Sequence, residues 1–141
     1  MTAMKARSAG AVILLLGLLL LLTPWLIFPV CGVGRNAAGV SRALGHHGCH
    51  GTLWAETAIG SATIIIGLLP LIWPKPRVLR PAAWASAGCA LLAVLFPLFI
   101  TGMCNFPTMP CRLATLPAIE TVAAFQVISA SFILLAFRKT S

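Results

Sequence analysis

The sequence predicts an all-α integral membrane protein built as a bundle of four transmembrane helices, and two observations carry that reading. Of 141 residues, 60% are hydrophobic and 9% charged, with no tyrosine and a mean hydropathy of +1.01, outside the range of soluble globular domains. The apolar residues fall in four runs, at about 10–30, 53–73, 82–103 and 117–137. As a helix, each is roughly 30 Å long, the thickness of a hydrocarbon core. The chain reads as one transmembrane domain with loops at 31–52 and 104–116.

The first run follows Lys5 and Arg7 as a signal peptide would, but it is longer than a signal core and no small-x-small site follows it. It reads as a retained span. Cys31 is preceded by Phe28-Pro29-Val30, without the small residue that a lipidated cysteine needs immediately before it. Pro24, Pro70 and Pro97 fall inside the runs and predict bends, because neighbouring groups satisfy a carbonyl freed by proline.

Basic residues set the expected orientation. Lys5, Arg7, Lys75, Arg77, Arg80, Arg138 and Lys139 lie on one side of the spans, and only Arg35, Arg42 and Arg112 on the other. The positive-inside rule then places both termini in the cytoplasm and the two long loops outside the cytoplasmic membrane. The net charge of +8 is a topology signal; a nucleic-acid partner is excluded because no folded soluble surface gathers the basic residues with base-reading side chains.

The two halves share a pattern. Each holds Phe-Pro, a cysteine, a loop, a second cysteine and a Thr-Leu-x-Ala segment closing on Glu-Thr. Thr52, Leu53, Ala55, Glu56 and Thr57 answer to Thr115, Leu116, Ala118, Glu120 and Thr121, with one extra residue in the second copy. The pattern predicts two helical hairpins related by a pseudo-two-fold axis along the membrane normal.

Cys31, Cys49, Cys104 and Cys111 all fall on the extracytoplasmic side, where disulfides persist. Four cysteines allow three pairings, the most economical being Cys31 with Cys49 and Cys104 with Cys111. Each staple is worth on the order of 2–3 kcal/mol in the chain-entropy model. The same loops offer a competing copper or zinc site from His46, His47, Cys49, His50, Met103, Cys104, Met109 and Cys111, since thiolate, thioether and imidazole suit Cu(I), and His with Cys suits Zn(II). A membrane thiol-disulfide oxidoreductase is a third reading, weakened by the lack of the Cys-x-x-Cys spacing that activates one thiol. Cys89, among alanines inside a span, reads as inert packing.

Glu56 and Glu120 are the only acids, each about one turn inside its helix. A carboxylate there complements the helix dipole. The small and polar residues that share their faces, Gly60, Thr63 and Gly67 for one and Ala124, Val127 and Ser131 for the other, favour a second arrangement, with both acids turned into the bundle near Arg112.

The segments FPVCG, CHGTLWAE, GMCNFPTMPCR and TLPAIE, spread over nearly the whole chain, resemble a family of small bacterial four-helix membrane proteins of unknown function. The resemblance implies the same fold and topology, supplies no activity, and implies an accessory role beside a membrane transport system. Taken together, the chain is expected to be a structural or accessory membrane subunit, not an enzyme, with disulfide-stapled loops. It needs no cofactor unless the copper or zinc alternative holds. Its partners are the lipid bilayer and a larger membrane complex or further copies of itself.

Overall fold

In a computed structural model of the protein, the described residues are 3–27, 47–100 and 111–138, with side chains described for 4–27, 51–75, 77–100 and 113–136. They form four helices and no strand. Helix α1 spans Ala3–Leu22 and continues into a π-helical turn, Thr23–Ile27; α2 spans His47–Ile72. Helix α3 spans Pro76–Leu95 and runs into a π turn at Phe96–Ile100, and α4 spans Leu116–Arg138, entered through a π turn at Cys111–Thr115.

Four stretches, Met4–Ile27, Gly51–Ile72, Arg77–Ile100 and Leu113–Ala136, are long and apolar enough to cross a membrane. The helices outrun the apolar runs at residues 3–9 and 76–81, because a helix does not end where its charges begin. Lys5, Arg7, Arg77 and Arg80 fall within the first five residues of their helices, where long basic side chains reach headgroups. Exposed Trp54 on α2 and Trp73 just past its end lie 19 residues apart, about 28 Å, the separation expected of two interfacial aromatic belts.

Pro24 and Pro97 are buried in the π turns that close α1 and α3. A proline cannot donate to the carbonyl four residues back, and the wider i→i+5 pattern lets the next N–H reach it. The helices therefore widen at these prolines. At the opposite end α2 passes to α3 through Trp73, Pro74 and Lys75 alone. Lys75 is extended (φ −102°, ψ 139°) ahead of a proline at the helix start, and its carbonyl accepts from Val78 N at 3.0 Å and Leu79 N at 3.2 Å. This is the hairpin end of the bundle; the other is the loop end.

The helices form a square. The α1–α2 interface is the most extensive, α3–α4 the next, and α2–α3 and α1–α4 close the ring, so α2 and α4 are diagonal. Toward the hairpin end the core is an apolar cluster of Ala6, Ile13, Leu79, Ala83, Ala130 and Ile133. Toward the loop end, Leu20, Ile59, Ala93 and Ile119 form a layer with one residue from each helix.

Glycine makes the α1–α2 contact tight. Gly10 and Gly17 on α1, and Gly60 and Gly67 on α2, are each seven residues apart, the heptad spacing that keeps a seam on one face of a left-handed helix pair. A Cβ built on Gly67 would sit 2.6 Å from Leu14 N, and one on Gly60 2.9 Å from Leu21 N. Backbone meets backbone there.

Gly67→Ala should therefore cost about 1–3 kcal/mol by overpacking. Gly88→Ala, with nothing within 4 Å of the new methyl, should be neutral or gain up to about 1 kcal/mol of helix propensity. Unfolding in mixed micelles with rising SDS checks the pair, and equal effects would contradict the backbone contact.

Candidate functional site

Polar side chains cannot find water inside a bilayer, so each hydroxyl on the helices needs a local acceptor. Thr23 Oγ1 donates to Leu19 O at 2.7 Å, Thr57 Oγ1 to Leu53 O at 2.7 Å, Thr63 Oγ1 to Ile59 O at 2.9 Å and Thr121 Oγ1 to Pro117 O at 2.6 Å. Near the loop end Trp25 Nε1 donates to Thr57 Oγ1 at 2.9 Å, tying the π turn after α1 to α2.

Between the two apolar layers sits an amide. Gln126 is 1% exposed. Its Nε2 lies 3.0 Å from Ser86 O, 3.1 Å from Ser86 Oγ and 3.4 Å from Thr63 Oγ1, so two N–H hydrogens serve three acceptors on α3 and α2. The backbone carbonyl only accepts, which fixes the amide's orientation. Oε1 of Gln126 then faces no donor among the described residues.

Toward the loop end from this network stands Glu56, 0% exposed, with neither carboxyl oxygen hydrogen-bonded among the described residues. Thr52, Glu56 and Thr63 share one face of α2 and all three are buried, giving the loop-end half a polar lining on that face. The hairpin-end half is apolar.

Glu120 does not join Glu56. At a constant offset of 63 residues, the buried positions Thr52, Glu56, Gly60, Thr63, Gly67 and Pro70 of α2 correspond to Thr115, Ile119, Ala123, Gln126, Ala130 and Ile133 of α4, all buried. Ile119 takes the place of Glu56. The extra residue in the second copy turns Glu120 by about 100° off the buried face, so Glu120, Ala124, Val127 and Ser131 are exposed on the outside. Arg112 lies in the π turn before α4, and its side chain is outside the described residues.

The remaining candidates divide by position. Cys31, His46, Met103, Cys104 and Met109 lie outside the described residues. His47, Cys49 and His50 are on the first turn of α2, and Cys111 opens the π turn before α4; their side chains are not described. Cys89 carries a free thiol, half-buried against the Leu20 layer. Among the described residues no three His, Cys, Asp or Glu gather into a metal-binding group. The Gln126 network went unread in the sequence, although its signal was there: Gln126 is the chain's only glutamine, in the middle of an apolar span.

Four membrane-crossing helices around a buried polar centre define a small multi-pass membrane protein. The chain belongs to the family described as "Domain of unknown function (DUF4418)", whose model matches residues 13–137. No curated protein and no solved structure matches it.

With Glu56 inside and Glu120 outside, the two carboxyls share no partner among the described residues. Glu120→Gln should change stability by no more than about 0.5 kcal/mol, and the Glu56→Gln, Glu120→Gln double variant should equal the sum of the singles within about 0.5 kcal/mol. Unfolding of the three variants in detergent measures this, and a double loss well below the sum would restore a shared site.

Proposed function

We propose that the protein is a structural or accessory subunit of a larger membrane complex, docked through the outer face of α3 and α4. The observation that carries this is Glu120. Counted from Thr57, its level on α2, the carboxyl lies about one turn inside the Trp54 belt, on a face with no other charged side chain among the described residues. A charge turned to lipid there bears part of the roughly 2.5–3.5 kcal/mol that an acidic side chain costs at a helix centre. A basic or donor-bearing side chain of another helix would offset that cost.

The surroundings suit a helix. Shallow grooves of about 370 and 470 Å³ flank the Glu120–Ala124–Ile128 ridge, the larger lined by Ala90, Leu91, Val94 and Ala123. Gly88 on α3 is exposed and meets nothing within 4 Å. Small residues facing lipid let a neighbouring backbone approach closely. The partner is accordingly a transmembrane helix carrying Lys or Arg at the depth of Glu120, and a membrane transport system is the kind of complex such an accessory subunit would join.

The other parts of the reading rest on the sequence and the register. The seven-to-three split of basic residues puts both termini in the cytoplasm and the cysteine loops outside the cytoplasmic membrane, where Cys31–Cys49 and Cys104–Cys111 staples would hold the loops. The pseudo-repeat gains support from α1 and α3. Ala6, Gly10, Ile13, Gly17, Leu20 and Pro24 correspond at one offset to Leu79, Ala83, Ser86, Ala90, Ala93 and Pro97, all buried. Copper or zinc binding by the His, Cys and Met residues of the loops is the second reading, favoured by the arrival of His47, Cys49, His50 and Cys111 at one end of the bundle.

A photo-crosslinking residue placed at Ala124 or Gly88 in native membranes should give an adduct with a second membrane polypeptide, lost on Glu120→Lys. The same residue at Ile65, exposed on α2, should give none. No adduct at either docking position, or an equal one at Ile65, would refute the docking face; an adduct of twice the chain's mass would make the partner a second copy.

A further inference from the structure

Three buried side-chain atoms have no hydrogen-bond partner among the described residues: Oε1 and Oε2 of Glu56, and Oε1 of Gln126. Each can accept a hydrogen bond or a positive charge when the Glu56 carboxyl is ionised. Both residues are essentially fully buried, at 0% and 1% exposure. Gln126 meets Thr63, seven residues inward from Glu56 along α2, or about 10 Å. The unmet demand thus runs from the loop end to the middle of the bundle.

Acceptors without donors are satisfied by positive charge, and the lining decides its kind. Carboxyl, hydroxyl and amide oxygens are hard ligands, suited to cations that prefer oxygen over sulfur or imidazole. A single carboxylate supplies one negative charge. In a low-dielectric surround, a divalent ion beside it would leave one positive charge uncompensated, whereas a monovalent ion leaves the site neutral.

The core is closed on the hairpin side. Glu56 lies two residues inward of Trp54 at the loop end of α2, and the apolar cluster of Ala6, Ile13, Leu79, Ala83, Ala130 and Ile133 closes the core beyond Gln126. An ion reaching Glu56 from the loop end would find no buried polar side chain beyond Gln126 among the described residues.

We propose that Glu56 is the charged ligand of a binding site for a monovalent metal cation, entered from the loop end and closed toward the hairpin end by the apolar cluster. The site makes the bundle a cation-responsive element and not a conduction path. It stands apart from the docking face, which lies on the outside of α3 and α4.

The test is thermal unfolding of the purified full chain in detergent, with N-methylglucamine chloride replaced by NaCl or KCl at constant ionic strength. One of the two ions should raise Tm saturably by about 3–8 °C. Glu56→Gln should abolish the rise, Glu120→Gln should keep it, and Glu56→Asp should keep it with a half-saturating concentration raised at least about threefold. No rise with either ion, a rise given only by Mg²⁺ or Ca²⁺, or a rise retained in Glu56→Gln would each overturn the proposal. If Glu56→Gln does not fold, an unchanged half-saturating concentration in Glu56→Asp overturns it equally.

Discussion

The bundle depends on one amide in its middle. Lipid is as apolar as leucine, so burial from water gives transmembrane helices little reason to associate, and packing and interhelical hydrogen bonds decide. Gln126 reaches from α4 to Ser86 on α3 and across the diagonal to Thr63 on α2. Those contacts fix the relative heights of three helices, and the heptad glycines of α1 and α2 bring in the fourth. Once the heights are set, the two apolar layers follow, each drawing residues whose depth agrees with the network.

The same constraint explains where polarity is tolerated. A buried amide or acid at membrane depth is costly unless satisfied, and the buried groups of this kind lie between the loop end and the middle of the bundle. The hairpin-end half contains no such group among the described residues. Its tight Trp73–Lys75 link leaves no loop to satisfy one. An asymmetric interior of this sort orients the molecule: one end is built to be dry, and the other holds Glu56 beneath the termini of α1, α2, α3 and α4 that carry the cysteine loops.

Much of the fold was legible in the sequence because the bilayer imposes length. Four apolar runs of span length needed no propensity argument, and the helix-rich class followed from the rule that lipid-exposed backbone must bond within its own segment. Helix ends were less legible, since charged first turns extend α1 and α3 beyond their apolar runs. The candidate site was half legible. The face Glu56–Gly60–Thr63–Gly67 was visible as a stripe of small and polar residues, and it is buried. The matching stripe on α4 is exposed, because one added residue rotates Glu120 away and leaves Ile119 inside. Gln126 carried no periodic signal, and the reciprocal placing of Gly10 and Gly17 against Gly67 and Thr63 is a tertiary fact that no single run reveals.

The central claim is that Gln126 ties the helices together through Ser86, and a double-mutant cycle between Gln126→Leu and Ser86→Ala, read by reversible unfolding in mixed micelles, tests it most directly. A coupling energy of about 0.6–1.7 kcal/mol, the range of interhelical hydrogen bonds in membrane bundles, is the predicted result. Additivity of the two losses within about 0.3 kcal/mol would contradict it and leave the heights of α3 and α4 to packing alone.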